Sequence, residues 1–365
     1  MKARRWLSAV HRYLGLTVGL LFMLLGLSGS IITYQEELDA WLNPALLTAA
    51  NCGERARLDV AEAAVRSAMP TGAHLQRARL AHRLGGVTSW FYLDRQGLPW
   101  EMTQDPCTAR VLGVRQADAH LLAWIYRLHG SLLMGDAGYV LLGVTACGLL
   151  VLLGCGIWLW WPRHGRWRSA LTVKWSSSPA RWQFDLHRAS GSYSGLLLLV
   201  PAFTGIYMAL PPVTTSVVSL WSTVTSYDPP ASDVAGPVAV NLRQAVDRAL
   251  ETLPDANPKV LVMPADGGGV YEINLFKTGD RQWRKHGEWT VFIGATTGRV
   301  LRVDAPSGHT AGDRFIRWQF PLHSGEAFGD IHRLVVALAG LVPSLLGVTG
   351  VLMWLRKRRK SHRHC

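Results

Sequence analysis

Along the chain, four windows are long, apolar and almost free of charge: residues 13–34, 139–161, 192–210 and 334–355. A helix rises about 1.5 Å per residue, so about 20 residues cross a hydrocarbon core about 30 Å thick. All four windows meet that length. Buried helices of a soluble protein would carry polar stripes at helical spacing, and the second window, LLGVTACGLLVLLGCGIWLW, has none. The pattern predicts an α-helical integral membrane protein with four transmembrane helices. The first window follows Lys2, Arg4 and Arg5, as a signal peptide would, but it is too long for a signal core and no A-x-A cleavage pattern follows it. It is expected to be a retained span.

The two long segments between spans have a different texture. Each begins with an amphipathic stretch, LDVAEAAVRSAM at 58–69 and NLRQAVDRALETL at 241–253, with apolar residues at helical spacing. Short β-rich runs follow: SWFYLDRQ and ARVLGV in the first, KVLVM, VYEINLFKTG, WTVFIG and GRVLRV in the second. Turn signals such as DPCTAR, KTGD and ATTGR separate them. Each segment is expected to fold as a helix on a small antiparallel sheet, the second entered through a linker from Pro229-Pro230 to Pro237.

Charge sets the expected orientation, because basic residues in short loops mark the cytoplasmic side. Lys2, Arg4, Arg5 and Arg12 precede or open the first span. Arg163, Arg166, Arg168, Lys174, Arg181 and Arg188 lie between the second and third, and RKRRK at 356–360 follows the fourth. Both termini are therefore expected inside. The net charge of +13 needs no nucleic acid, since these clusters act as topology determinants beside anionic lipid. The expected order is a cytoplasmic N terminus and first span (1–35), a first outer domain (36–136), the second span (137–161) and a basic cytoplasmic loop (162–190). The third span (191–211), a second outer domain (212–330), the fourth span (331–355) and a basic cytoplasmic tail (356–365) follow. Of five cysteines, only Cys52 and Cys107 fall in the outer segments. An oxidising compartment there would permit a disulfide between them, though two cysteines alone do not establish one.

The chain also repeats itself. HRYLGLTVGLLFMLLGLSG opens the first span and HRASGSYSGLLLLVPAFTG the third, and one constant offset matches His11, Gly15, Gly19 and Gly29 to His187, Gly191, Gly195 and Gly205. WIYRLHGSLLMGD precedes the second span and WQFPLHSGEAFGD the fourth; again one offset aligns Trp124, His129 and Asp136 with Trp318, His323 and Asp330, then Gly156 with Gly350 and Trp160 with Trp354. The expected plan is two parallel repeats of helix, outer segment, histidine, helix.

Four of the thirteen histidines fall in this framework. His11 and His187 open inner-side helices, while His129 and His323 stand just before helices on the outer side. One pair at each face is what two bis-histidine haem b sites require, with both axial positions filled and electron transfer favoured over oxygen chemistry. Gly15 and Gly19 lie one and two turns from His11, as Gly191 and Gly195 do from His187. Positions four apart share a helix face, so these glycines leave room for a flat macrocycle; small-xxx-small helix packing is the competing explanation. Asp136 and Asp330 fit either of two roles, fixing histidine tautomers or capping helices. His332 begins the fourth span opposite Gly138 in the repeat and is open to three roles: replacing His323 as a ligand, lining the outer haem, or facing a substrate. His74, His82, His120, His286 and His309 read as surface residues of the outer segments, and His164, His362 and His364 lie in or beside basic cytoplasmic stretches. The tail HRHC lacks further ligands for zinc. Trp124, Trp158, Trp160, Trp161, Trp318 and Trp354 suit interfacial belts.

These motifs, H-R-x-x-G at the first and third spans and L-H-x-x-x-x-x-G before the second and fourth, resemble the PepSY-associated transmembrane proteins of bacteria, especially the inner-membrane ferrisiderophore reductases. The resemblance covers nearly the whole chain. It implies a bacterial inner membrane, two PepSY-like periplasmic domains, and b-type haems on His11, His187, His129 and His323. It also implies an oxidoreductase that reduces siderophore-bound Fe(III) at the outer face. The electron donor would be a quinol or a cytoplasmic reductase, because no Rossmann or flavin fingerprint is present. Two alternatives remain open: a cytochrome b-type subunit serving another acceptor, and a non-redox signalling or protease-regulating protein whose PepSY domains bind peptides. A transporter is disfavoured, since no span carries an acidic residue near its midpoint.

Overall fold

The computed structural model describes residues 2–82, 85–162, 165–225, 228–232, 234, 236–265, 268–280 and 288–361. His164, His286, His362, His364 and Arg163 lie outside the described residues. In chain order, α1 (Lys2–Thr33), α2 (Gln35–Leu42), α3 (Pro44–Leu47) and α4 (Leu58–Ala68) lead into strands β1 (His74–Arg79), β2 (Thr88–Leu93), β3 (Pro99–Gln104) and β4 (Val111–Gln116). Next come α5 (Leu121–Ser131), α6 (Gly135–Trp160), α7 (Trp167–Leu171), α8 (Pro179–Ala209), α9 (Pro211–Val218) and α10 (Leu242–Thr252). Strands β5 (Ala256–Val262), β6 (Val270–Lys277), β7 (Trp289–Gly294) and β8 (Val300–Asp304) follow, and α11 (Ala311–Ser324) and α12 (Asp330–Ser361) close the chain.

The chain divides into two compact units. The first holds 1–34, 124–224 and 312–365 and contains α1, α6, α8 and α12. These four are long and apolar enough to cross a membrane. Their surfaces carry large exposed aliphatic residues, among them Leu20, Val144, Leu196 and Leu338, an arrangement that water would penalise and a bilayer favours. The helices run further than their apolar windows. α8 starts at Pro179, behind Ser178, because Pro at a first helical position is compatible with helix geometry. Its first turns carry Arg181 and Asp185, three to four residues apart from their partners along the helix.

Small residues bring α1 and α12 together. A side chain at Gly26 would run into the Gly340 carbonyl, one at Gly340 would meet Ser30, and Ser30 Oγ donates to Ala337 O at 2.7 Å. Between α5 and α6 the chain reverses with Leu132 and Leu133 at φ of 50° and 60°, a left-handed conformation that costs a non-glycine residue about 1 kcal/mol or more.

The second unit, 35–123 with 225–311, is built from the alternation of its strands. Trp90 and Tyr92 of β2 point into the core, while Phe91 between them is covered by the Arg77 guanidinium at 4.5 Å. The indole of Trp90 donates to Gln104 at 2.8 Å, and Gln104 in turn donates to Ala61 O and Ala109 O, so this polar group is satisfied inside the core. Helices α4 and α10 pack here through Val65, Leu242, Ala245 and Ala249, against Leu261, Ile273 and Val291. A capping box between Asn241 and Gln244 starts α10.

The expectation of two separate small sheets is corrected by one pairing. Strand order is β4-β3-β2-β1-β5-β6-β7-β8, and β1 joins β5 antiparallel through Arg77↔Val262, Ala78↔Leu261 and Arg79↔Val260. Two edges that would otherwise expose unpaired backbone groups satisfy each other, giving one open eight-stranded antiparallel sheet. Cys52 and Cys107 form a disulfide within this unit.

Candidate functional site

Four of the five singled-out histidines come together as two pairs, both within the helical unit. His11 of α1 and His187 of α8 have ring centroids 6.3 Å apart, with planes at 87°. His129 of α5 and His323 of α11 are 6.0 Å apart at 57°. The two sites lie at different levels: His11 is near the start of α1, whereas His129 packs against Gly29 further along it, a rise of about 27 Å.

Each ring is fixed through Nδ1 by a neighbouring helix. His11 Nδ1 donates to Leu152 O of α6 at 3.1 Å, and His129 Nδ1 to Leu25 O of α1 at 3.0 Å, with Ser28 Oγ at 3.1 Å. His187 Nδ1 meets Thr349 Oγ1 of α12 at 2.9 Å, and His323 Nδ1 meets Thr204 Oγ1 of α8 at 2.9 Å. The direction of the hydroxyl contacts follows from a second bond. Thr349 gives its own proton back to Leu345 O, Thr204 to Val200 O and Ser28 to Leu24 O. A hydroxyl has one proton to give, so towards histidine each of these oxygens accepts. Carbonyls accept in any case. All four rings are therefore held with hydrogen on Nδ1, which places the lone pair on Nε2.

Glycines seat the same rings. A Cβ added at Gly29 would lie 2.9 Å from His129 Cε1, and one at Gly156 would lie 3.1 Å from His11 Cε1. At Gly205 and Gly350 the distances to His323 and His187 are 3.6 Å each. The predicted glycines behave differently. Beside Gly15, Gly19, Gly191 and Gly195 the nearest atoms would be 3.9, 4.0, 3.5 and 3.8 Å away, so none of the four is filled by a tight helix contact. The packing explanation suits Gly26 and Gly340 instead.

Sequence reasoning missed Ser28, Thr204 and Thr349 as histidine partners. The signal was present: each hydroxyl residue immediately precedes a ring-seating glycine, in Ser28-Gly29, Thr204-Gly205 and Thr349-Gly350. At the fourth place the pair is Cys155-Gly156, and His11 uses the Leu152 carbonyl instead. Asp136 and Asp330 do not fix the tautomers. They occupy the first turns of α6 and α12, Asp330 lying 3.7 Å from Arg333, where a carboxylate suits the helix dipole.

His332 belongs to neither pair. Its ring packs on Phe328 at 5.2 Å, and Phe328 packs on Trp318 at 5.9 Å. Among the surface histidines, His74 is exposed. His120 departs from its expected place in solvent. It lies half-buried, with Nδ1 3.9 Å from Asp39, whose carboxylate is gripped by both terminal nitrogens of Arg115 at 2.9 and 2.7 Å. Burial, and then the Arg115 charge, lower the His120 pKa.

The histidines thus sit on helices that carry the sequence motifs singled out above. A model of the PepSY-associated TM region family matches residues 8–357. The chain belongs to that family. The match takes in both histidine pairs and His332. With its four membrane-length helices, this PepSY-associated chain is a membrane protein. No curated protein matches it.

Chemically, each pair offers two imidazole nitrogens to one metal ion. Among the described residues no cluster of three or more His, Cys, Asp or Glu is placed to hold an ion.

Proposed function

We propose that this protein is a di-haem b electron carrier of the bacterial inner membrane that reduces ferric siderophores at its outer face, releasing Fe(II) for uptake. The observation that carries the proposal is the spacing and tautomer of the two histidine pairs. With a metal–imidazole bond of about 2.0 Å and a ring nitrogen about 1.1 Å from its ring centre, two imidazoles that would hold one metal ion between them would have centroids about 6.2 Å apart. The pairs measure 6.3 and 6.0 Å. Nδ1 is committed to a carbonyl or hydroxyl in every ring, which leaves Nε2 as the ligating atom and matches the usual support of a metal-bound histidine. At Gly15, Gly19, Gly191 and Gly195 an added Cβ would meet neighbours only at 3.5–4.0 Å, ordinary contact distances, so these positions are not locked by tight helix packing beside the His11–His187 pair.

Bound there, haem would supply one-electron chemistry at an iron whose ligation changes little with oxidation state. The chain's own contribution is to hold each imidazole in one orientation from a second helix. His11 and His187 would mark the inner end: the basic residues in the first turns of α1, between α6 and α8 and in the last turns of α12 support a cytoplasmic side there by the positive-inside rule. His129 and His323 would mark the outer end. The sheet unit would then be periplasmic, and its disulfide supports an oxidising compartment. Siderophores hold Fe(III) far more tightly than Fe(II), so a single electron delivered outside is enough to release the metal.

The matched elements support two parallel repeats. Ser28 and Thr204 serve equivalent histidines, Gly29 and Gly205 seat them, and Gly156 and Gly350 seat the other pair.

The test is a haem-to-protein ratio on the purified protein, with a dithionite-reduced spectrum and then anaerobic Fe(II) release from a panel of ferric siderophores. Two low-spin haems and Fe(II) release are expected. No reducible low-spin band would remove every redox reading and leave peptide-binding regulation; two haems without Fe(II) release would favour a cytochrome subunit serving another acceptor.

A further inference from the structure

Three arginines at one end of the bundle carry buried nitrogens that the fold leaves unpaired. Arg12 and Arg188 each follow a histidine of the His11–His187 pair, and in each the Nε is buried without a hydrogen-bond partner. Arg356 of α12 has a buried Nη1 in the same condition. Its place follows from the α1–α12 seam, where Gly26 faces Gly340 and Ser30 faces Ala337. Continued along the two antiparallel helices, that register brings Arg12 level with Arg356.

A guanidinium cannot give up its proton to escape burial. Its buried, unpaired N–H groups therefore call for an acceptor, and a cationic group is answered best by an anionic one. The three differ in how much charge is already answered. Arg188 meets Asp185 at 2.9 Å and donates to Ser169 O. Among the described residues Arg12 meets only the Tyr13 ring, 5.1 Å from its guanidinium carbon, and no carboxylate is paired with Arg12 or Arg356. The net positive charge of the cluster therefore sits on the Arg12–Arg356 side.

We infer that Arg12, Arg188 and Arg356 form a carboxylate-binding seat that holds the two propionates of the haem carried by His11 and His187. The inference rests on the haem reading above. It assigns a role to the second residue of both H-R motifs: the histidine holds the metal and the arginine following it holds the rim of the ring. Charge-assisted bonds from guanidinium to carboxylate are among the strongest a side chain makes, and the excess charge beside Arg12 raises the reduction potential of the nearer iron by opposing its oxidised, more positive form.

The experiment compares wild type, R12Q, R188Q, R356Q and R12K as full-length proteins in nanodiscs. Each is loaded either with haem or with its dimethyl ester, which lacks the carboxylates. The readouts are haem retention against a competing apo-globin and the midpoint potential of each haem. With native haem, R12Q and R356Q are expected to weaken retention at the inner site about tenfold and to lower its midpoint. R188Q should lower the midpoint less, and R12K should recover most of the midpoint but not the retention. The outer haem, unchanged throughout, reports that the bundle is folded. With the ester, wild type and R12Q should retain the group equally well, since neither has a carboxylate to hold. Equal losses of retention with haem and ester would overturn the seat and point to a lipid phosphate or a packing role. Unaltered retention and midpoint in both R12Q and R356Q would overturn it outright. A wild type without low-spin haem would instead remove the parent reading.

Discussion

Replacing Gly29 with alanine places a methyl carbon 2.9 Å from Cε1 of His129 and 3.4 Å from its Nδ1. Carbon atoms at rest stand about 3.5–4.0 Å apart, so the ring must retreat by about 0.6 Å or the two helices must separate. Nδ1 is already 3.0 Å from Leu25 O and 3.1 Å from Ser28 Oγ, and a retreat of that size takes both contacts past the useful range of a hydrogen bond. Metal–ligand distances tolerate about 0.2 Å. Overpacking of this kind costs about 1–3 kcal/mol, which corresponds to roughly a fivefold to 150-fold loss of affinity for whatever the ring ligates. The equivalent change at Gly205 meets His323 Cε1 at 3.6 Å, an ordinary contact, and should leave the site intact. The assay is haem content and reduced spectrum for G29A and G205A, with size-exclusion profile as the folding control. G29A should lose the His129–His323 haem and keep the other, while G205A keeps both. Full haem content in G29A, or equal loss in the two variants, would refute the seating of the rings by these glycines.

Further outcomes follow from the same geometry. His11→Ala or His187→Ala should remove one haem and spare the other, and His129→Ala or His323→Ala should do the converse; full haem content in all four variants would break the pairing. Cys52→Ser opens a loop whose ends are 55 residues apart, and the chain-entropy relation puts the loss at about 4 kcal/mol for the sheet unit. Denaturant midpoints followed by tryptophan fluorescence, with and without reductant, measure it, and identical midpoints would contradict the structural role. His120 has a folded pKa below its ordinary value of 6.5. Between those two values the unfolded chain binds more protons, so stability is fully present above about pH 6.5 and falls as pH drops through the folded value. H120Q should flatten that decline in an unfolding series from about pH 7.5 to about pH 5, and an unchanged slope would reject the assignment.

How much was legible depends on how local each cause is. The four spans could be read because a bilayer rewards composition alone. Their ends could not: α8 reaches back to Pro179 and α12 forward to Ser361, since helix geometry continues into charged turns that an apolar window excludes. Strands β2 and β6 announced themselves through branched and aromatic runs. β1, HLQRAR, buries only Leu75 and Ala78, and β3, PWEMTQ, opens with proline, so neither carries the alternation that marks a strand. The β1–β5 join was invisible, because it depends on two edges more than 150 residues apart finding each other. The histidine pairs were visible through repetition. Their anchors were not, because a serine or threonine one residue before a glycine has no meaning until another helix brings an imidazole to it.

The site and the bundle depend on each other. His11 belongs to α1 but is oriented by α6, and His187 belongs to α8 but is oriented by α12. Likewise His129 and His323, on α5 and α11, are oriented by α1 and α8. None of these four histidines takes its Nδ1 partner from its own helix, so the His11–His187 pair is oriented only once the four long helices have met, and the His129–His323 pair only once α5 and α11 have met α1 and α8. A ligand that needs both members of a pair binds only the assembled state, and it stabilises that state by RT ln(1 + [L]/Kd), about 4 kcal/mol when present at a thousandfold above Kd. The α1–α12 seam, made of Gly26, Ser30 and Gly340, contributes close backbone contact and little hydrophobic drive, because lipid is as apolar as the side chains it would displace. If the pairs hold haem as proposed, its binding would then be a main source of bundle cohesion. Chemical unfolding of haem-depleted protein should therefore begin with separation of the helices that the histidines link, and restoring haem should raise the midpoint in proportion to the logarithm of its concentration. A midpoint independent of haem would mean that the helices hold together without their ligand, and that the histidine pairs are passengers on a bundle stable for other reasons.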